Sequence, residues 1–341
     1  MDHSTRGSST LGRSGLKVSR ACLGAMNFGT GPGAGCDEEE ARRIVDAFLD
    51  GGGDFIDTAD IYSGGQSEQI VGRAIASRRD AVVLATKAWG PVGSGPNDRG
   101  LSRRHLTHAL DASLRRLGTD YIDLYQCHGW DAETPIEETM STLDGFVRAG
   151  KVRYTGCSNF TAGQIIEAQW AAQRLAAAPF ISLQPHYSLV AREIEAEILP
   201  ACARHGLGTL TYSPLAGGVL AGRYRRGAEP EAGSRIDRWR RFPDPRAAAW
   251  ADMLLSERNF AIADEVGRAA RELGTTPAAV AIAWVADRPG VTSVILGPRS
   301  VEQLERNLAG IALDLPHEIA ERLDAVSAPT NRPVNGTSQA A

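Results

Sequence analysis

The chain has 341 residues, 43% hydrophobic and 23% charged, with a formal net charge of −4. This balance gives a globular protein ample chain for a core, and it excludes nucleic acid or an anionic membrane as the main partner. Its five cysteines, at 22, 36, 127, 157 and 202, contain no CxxC pair, which argues for reduced thiols and against a disulfide framework or metal site.

Residues 1–10 are polar and lack an apolar signal core, and no apolar run reaches the length of a bilayer, so a cytoplasmic location is expected. Residues 11–18 alternate around a glycine-containing turn and predict a small hairpin ahead of the main fold. Cys22, Leu23 and Gly24 form the first buried strand candidate. The glycine cluster at 31–35 follows no strand inside a βαβ unit, and its Pro32 removes a donor, so it reads as a plain loop. Asp37 and Glu40 make a capping box before Ala41, Ile44, Val45, Phe48 and Leu49 at helical spacing, and Gly51 stops that helix.

The alternation then repeats. Strands are predicted at 55–56, 81–85, 121–125, 152–155, 180–184, 208–212 and 292–296. Between them, Ser102 leads into Leu106, Leu110, Leu114 and Leu117 before Gly118. Thr134 caps a helix with Pro135 at its first position, and Thr161 with Gln164 and Ser300 with Gln303 repeat the capping pattern. Eight strands, each followed by a helix, predict a closed (β/α)8 barrel rather than an open doubly wound sheet. No composition break splits the chain, so one domain is expected, with a core at about 11–326 and a flexible tail at 327–341. Residues 217–256, rich in Gly, Arg and Pro, predict a long loop after the seventh strand.

Catalytic groups of such barrels stand at the C-terminal ends of the strands. Here those positions carry Met26, Asp57, Lys87, His128, Ser158 with Asn159, Gln184, Tyr212 with Ser213, and residues 297–300; Tyr62 lies five residues past Asp57. Singly, each has a plain use: Asp57 as a turn cap, Lys87 as a solvated rim charge, His128 as a core histidine, Tyr212 as a packing aromatic. Gathered on one rim, so many titratable groups mark an active site.

From about residue 11 to 325 the chain resembles an aldo-keto reductase. The resemblance rests on residues 23–29, 57–62, 86–87, 126–128, 156–160, 184–189, 212–215 and 303–307, in order and in spacing. It implies NADPH-dependent reduction of an aldehyde or ketone by a tetrad of Asp57, Tyr62, Lys87 and His128. Hydride addition to a carbonyl carbon builds charge on its oxygen, and a proton must meet it. In that scheme Tyr62 is the general acid, Lys87 lowers the phenol pKa, Asp57 holds Lys87 charged, and His128 orients the substrate oxygen.

The resemblance also implies a cofactor set. Ser158, Asn159 and Gln184 hold the nicotinamide carboxamide, and Tyr212 stacks on its ring. Ser213, Pro214, Leu215, Gly217, Leu220, Gly222 and Arg223 clamp the pyrophosphate. Gly297, Arg299 and Ser300 meet a phosphate at a helix N-terminus, and Met26, Asp57, Gln303, Arg306 and Asn307 complete the set. Arg306 stands where related sequences often carry Glu toward the adenine, and Cys127 and Cys157 replace plain aliphatics. His128, where relatives that reduce carbon–carbon double bonds have Glu, favours carbonyl reduction. Phe28, Trp89 and Trp130, with Tyr62 and His128 and optionally Trp239, suit an aromatic substrate pocket or plain loop packing; the sequence does not choose between an aryl aldehyde, a keto-sugar and another ketone. Two other classes fit parts of the pattern: a Schiff-base barrel enzyme using Lys87, and a regulatory nicotinamide-binding barrel.

Overall fold

A computed structural model describes residues 7–30, 35–242 and 245–329. The glycine cluster at 31–34 and the tail from 330 onward lie outside the described residues. Two short strands, β1 (Ser8–Thr10) and β2 (Lys17–Ser19), form the antiparallel hairpin. The alternating residues expected to be its strands are mostly its turn, closed by the Leu11 amide donating to the Leu16 carbonyl over 2.8 Å. The strands of the main sheet are β3 (Ala21–Gly24), β4 (Phe55–Asp57), β5 (Val83–Ala88), β6 (Ile122–Cys127), β7 (Val152–Ser158), β8 (Phe180–Gln184), β9 (Gly208–Thr211) and β10 (Val291–Leu296). They close into one parallel barrel in the order β10-β3-β4-β5-β6-β7-β8-β9, the expected (β/α)8 architecture.

The helices of the outer ring are α1 (Glu38–Asp50), α2 (Gln66–Ile75), α3 (Arg103–Leu117), α4 (Ile136–Arg148), α5 (Ala162–Leu175) and α6 (Ile198–His205). After β9 come α7 (Arg235–Arg240), α8 (Pro245–Leu254), α9 (Glu257–Glu272) and α10 (Pro277–Ala286), and after β10 come α11 (Val301–Ile311) and α12 (His317–Ser327). Residues 217–256 are therefore not one long loop. Ser234 caps α7 by accepting from the Asp237 amide, and Ile236 buries its side chain, so the segment carries helical start signals that its Gly and Pro content masks. Capping chemistry also departs from the spacing rules. Of the expected pairs, among the described residues, only Thr161 and Gln164 form the reciprocal box. Glu40 instead accepts from the Val301 amide at 3.1 Å, tying α1 to α11, and Pro135 is itself the N-cap of α4.

Two apolar clusters follow from the period-2 alternation of the strands. Side chains facing outward meet the helices in the larger cluster, which includes Leu23, Ile56, Leu84, Tyr125 and Leu183. Side chains facing inward form the smaller one, with Cys22, Phe55, Ala85, Leu124, Leu210 and Ile295, and Leu11 and Val18 of the hairpin join it. The hairpin thus plugs the N-terminal end of the barrel, where the Arg13 amide donates to the Gly206 carbonyl at 2.8 Å. Close approach fixes two glycines. A Cβ at Gly72 would lie 2.3 Å from the Leu117 carbonyl where α2 meets α3, and one at Gly156 would lie 2.3 Å from Ser182 Oγ inside the barrel. No helix among the described residues is long and apolar enough to cross a membrane.

Candidate active site

The inward column of each strand changes character along its length. Phe55 is followed by Asp57, Ala85 by Lys87, Leu124 by Gln126 and His128, and Leu210 by Tyr212. The strands run further than their sequence signals suggest, so Lys87 and Ser158 stand inside β5 and β7 rather than just past them. Parallel registry sets Asp57 beside Ala85, Lys87 beside Gln126 and Ser158 beside Gln184. A dry polar layer results at the C-terminal end of the barrel, resting on the apolar plug.

Lys87 is fully buried and donates to three oxygens: Asp57 Oδ2 at 2.6 Å, the Thr58 carbonyl at 2.8 Å and the Tyr62 hydroxyl at 3.3 Å. Burial opposes its charge, but Asp57 and Tyr62 outweigh that and raise its pKa above the ordinary lysine value. The other Asp57 oxygen accepts from Gln126 Nε2 at 3.1 Å and Gln184 Nε2 at 2.9 Å, so the carboxylate is held from three strands. Gln126 was not singled out by the sequence; its inward parity on β6, two residues before His128, was the available signal.

Tyr62 sits on the turn Tyr62–Gly65 that follows β4, with its ring edge-on to His128 at a centroid distance of 5.7 Å. Burial raises the phenol pKa, and Lys87 offsets this only in part. The expected net lowering is therefore corrected: in the protein alone desolvation wins, and the phenol stays protonated, the form that carbonyl reduction consumes. His128 is pushed down to about 3, by burial and then by Lys87, so its imidazole is neutral near pH 7. Its Nδ1 is buried without a hydrogen-bond partner among the described residues.

Above this layer the residues of the barrel rim border a candidate cleft. Tyr212 donates to Asn159 Oδ1 at 2.9 Å, and Asn159 Nδ2 donates to the His128 carbonyl at 3.1 Å. Ser158 donates to the Gln184 carbonyl at 2.8 Å. The ring of Tyr212 stacks on His186 at 5.4 Å and 20°. Asn159, Ser213 and Ala216 all adopt positive φ (61°, 57° and 49°), a concentration of backbone strain on one rim that accompanies functional sites. Pro214 and Leu220 are buried beside Leu215 and Gly217 in the turn after β9, and Gly222 and Arg223 end that turn.

Positive charge collects at the outer end of the cleft. Arg235 on α7 interacts with Arg238 and Arg299, and Arg299 with Arg238 and Arg223. Arg235 donates to Asn27 Oδ1 and lies 5.3 Å over the Trp239 ring. Burial and the neighbouring guanidiniums push its pKa down to about 10. Arg299 precedes the Ser300 cap of α11, and its own amide donates to Gln303 Oε1 at 3.0 Å. Arg306 points elsewhere: it pairs with Glu302 at 3.4 Å on the exposed face of α11, while Asn307 is buried. Neither Arg235 nor Arg238 was a sequence candidate.

The remaining candidates divide. Met26 is 40% exposed, two residues beyond the end of β3. Trp89 and Trp130 are half-buried, Trp89 against Gly129 and Trp130 edge-on to Phe160 at 5.2 Å. Phe28 is fully buried in the outer core, and Trp239 packs on Trp250 at 4.4 Å. All five cysteines are unpaired, and four of them are buried.

The sequence model of the Aldo/keto reductase family matches residues 20–328, from the start of the barrel through α12. The chain belongs to the aldo-keto reductase family. It is 40% identical, over 93% of this chain and 94% of the relative, to the uncharacterized oxidoreductase YrpG of Bacillus subtilis. A probable voltage-gated potassium channel subunit beta of Arabidopsis thaliana is 41% identical over 88% of this chain and 90% of its own length. The versiconal hemiacetal acetate reductase of Aspergillus parasiticus is 36% identical over 91% of this chain and 94% of its own. Aldo-keto reductases are oxidoreductases that act on small carbonyl compounds with a nicotinamide cofactor. In this aldo-keto reductase the sequence candidates Asp57, Tyr62, Lys87 and His128 come together in one cluster.

Proposed function

We propose that the protein is an NADPH-dependent carbonyl reductase in which Tyr62 is the general acid. One observation carries the reading: a single buried ammonium, Lys87, is hydrogen-bonded to both the Asp57 carboxylate and the Tyr62 hydroxyl. The donor set of the cleft fits the cofactor. Tyr212 offers a flat ring, Asn159 an amide held from two sides, the start of α11 the positive end of its dipole, and Arg223, Arg235 and Arg299 a positive field for phosphates. When bound, the cofactor supplies the hydride. The residues do the rest. His128, neutral, donates one N–H to the carbonyl oxygen and sets its approach, but it has no second proton to give near pH 7. Tyr62 gives its phenolic proton to that oxygen as charge develops there, and Lys87 stabilises the phenolate left behind. Asp57 keeps Lys87 charged and fixed in place.

The Schiff-base alternative fits poorly. It needs a neutral amine, whereas Lys87 is ion-paired with a raised pKa. The regulatory alternative draws on relatives named as potassium channel subunits, yet the complete tetrad supports turnover. The test is to follow the absorbance of NADPH on adding a panel of aldehydes and ketones. Consumption with at least one of them is expected. A borohydride-trapped adduct on Lys87 without NADPH use would replace this reading by the Schiff-base one, and binding of NADPH without turnover on any carbonyl by the regulatory one.

Preference for NADPH over NADH is assigned to Arg299. A guanidinium meets a 2′-phosphate with charge-assisted hydrogen bonds worth about 1.5–3 kcal/mol, so Arg299→Ala should raise the KM for NADPH about 10- to 100-fold. The KM for NADH should stay within about twofold, because only the phosphate contact is lost. Steady-state kinetics with both cofactors checks this. Equal weakening of the two would move phosphate reading to Arg235 or Arg223.

A further inference from the structure

Beside Lys87 the fold buries a carboxylate that the reaction as described does not use. Asp60 lies between β4 and the turn carrying Tyr62, and it is 3% exposed. Its amide donates to the Lys87 carbonyl at 3.1 Å, which pins it against β5. Among the described residues neither side-chain oxygen accepts a hydrogen bond. The groups facing it come from every neighbouring element: Glu68 on α2, Arg116 on α3, Lys87 on β5, Tyr125 on β6 and Tyr62 on the turn.

Glu68 takes the available donors. The Thr86 hydroxyl donates to one of its oxygens and Arg116 Nε to the other, each at 2.6 Å. Asp60 is left with the Ile61 amide, which favours its anion without forming a well-aligned hydrogen bond. The fully buried Tyr125 hydroxyl likewise has no partner among the described residues. An unpaired negative charge beside the paired Glu68 carboxylate would be strongly unfavourable in so buried a place, whereas a neutral carboxyl is tolerated there. Unsatisfied buried polar groups are rare enough to call for an explanation.

We propose that Asp60 is a positioning residue of the tetrad: it is neutral while the enzyme reduces its substrate, and its ionisation slows the reaction by placing a negative charge beside Lys87 and Tyr62. The proposal rests on Tyr62 being the general acid. The proton lost on ionisation passes to solvent, and no bond to substrate is involved. Burial first and Glu68 second push the Asp60 carboxyl up to about 7, against Arg116, the Ile61 amide and Lys87, so the change falls within the working pH range. The anion raises the Tyr62 pKa further, which holds the very proton that reduction must release. It also opposes the charge developing on the substrate oxygen.

Asp60→Asn, an isosteric and permanently neutral replacement, tests this. The kcat/KM of the parent should fall about fivefold to tenfold as pH rises from 6 to 8.5, roughly the effect of one nearby charge. The variant, whatever its level at pH 6, should lack that fall. A second readout needs no turnover. Because the folded-state pKa lies above the unfolded one, the parent loses stability as pH rises through the carboxylate range to about 7, and the parent-minus-variant difference in Tm should show that slope. Glu68→Gln, which removes the neighbouring charge and frees Arg116, should move the kinetic fall to lower pH. An unchanged alkaline fall in Asp60→Asn, or a Tm difference independent of pH, would overturn the proposal. Near-normal turnover in a Tyr62→Phe enzyme would overturn the general-acid reading instead, and the Tm series would still report whether Asp60 holds a proton.

Discussion

Tyr62→Phe should lower kcat for carbonyl reduction about 10²- to 10⁴-fold, the range for losing a positioned general acid, and should change the Kd for NADPH by less than about twofold, since the phenol meets the reacting oxygen and not the cofactor. The loss cannot be made good by a neighbour. His128 is neutral, with its pKa pushed down to about 3, and Lys87 is held by Asp57, Thr58 and the phenol itself. Phe keeps the edge-on contact with His128, so the cleft should survive the change. Rapid measurement of a single turnover, together with fluorescence titration of NADPH, separates chemistry from binding. Retention of near-normal turnover would show that another group supplies the proton.

Lys87→Met should damage stability as well as catalysis. It leaves the Asp57 carboxylate buried with two amide donors, Gln126 and Gln184, and no cation. Breaking a buried ion pair on one side costs about 3–5 kcal/mol. The stability deficit of the variant relative to the parent should therefore be largest at neutral and high pH, where the uncompensated carboxylate is charged. The double variant Asp57→Asn with Lys87→Met removes the uncompensated charge and should recover most of the stability, with turnover still lost. Denaturant unfolding of the single and double variants across pH measures both effects. A single variant as stable as the parent at neutral pH would mean that the pair is not a linked unit.

Much of this was legible in the chain, for reasons that can be named. The barrel strands show themselves because short apolar runs recur between capped helices, and strict alternation leaves few topologies. Asp57, Lys87 and His128 are legible because a polar inward residue near a strand end is anomalous against Phe55, Ala85 and Leu124 below it. What was missed depends on distant contacts. Arg235 sits in a segment whose Gly and Pro content reads as loop, and its partner Asn27 is 208 residues away. Phe28 fits either a pocket or loop packing in the sequence, and its burial in the outer core accords with packing, because only the fold decides which face of a rim residue is covered. The phenol pKa was misjudged because a spacing shows the charge of Lys87 but not the depth of burial. Asp60 lies within a matched motif without a role of its own there, since nothing local reveals that Glu68 has taken its donors.

The plug formed by Leu11 and Val18 has a consequence for traffic. With the floor packed by apolar side chains and the hairpin bonded across to Gly206, the rim is the end at which the polar layer faces solvent among the described residues. A vessel with one mouth fills and empties in a fixed sequence: the molecule seated lower enters first and departs last. Saturation by the upper ligand should then trap the lower one, making the escape of the spent lower ligand a separate step that follows the chemistry.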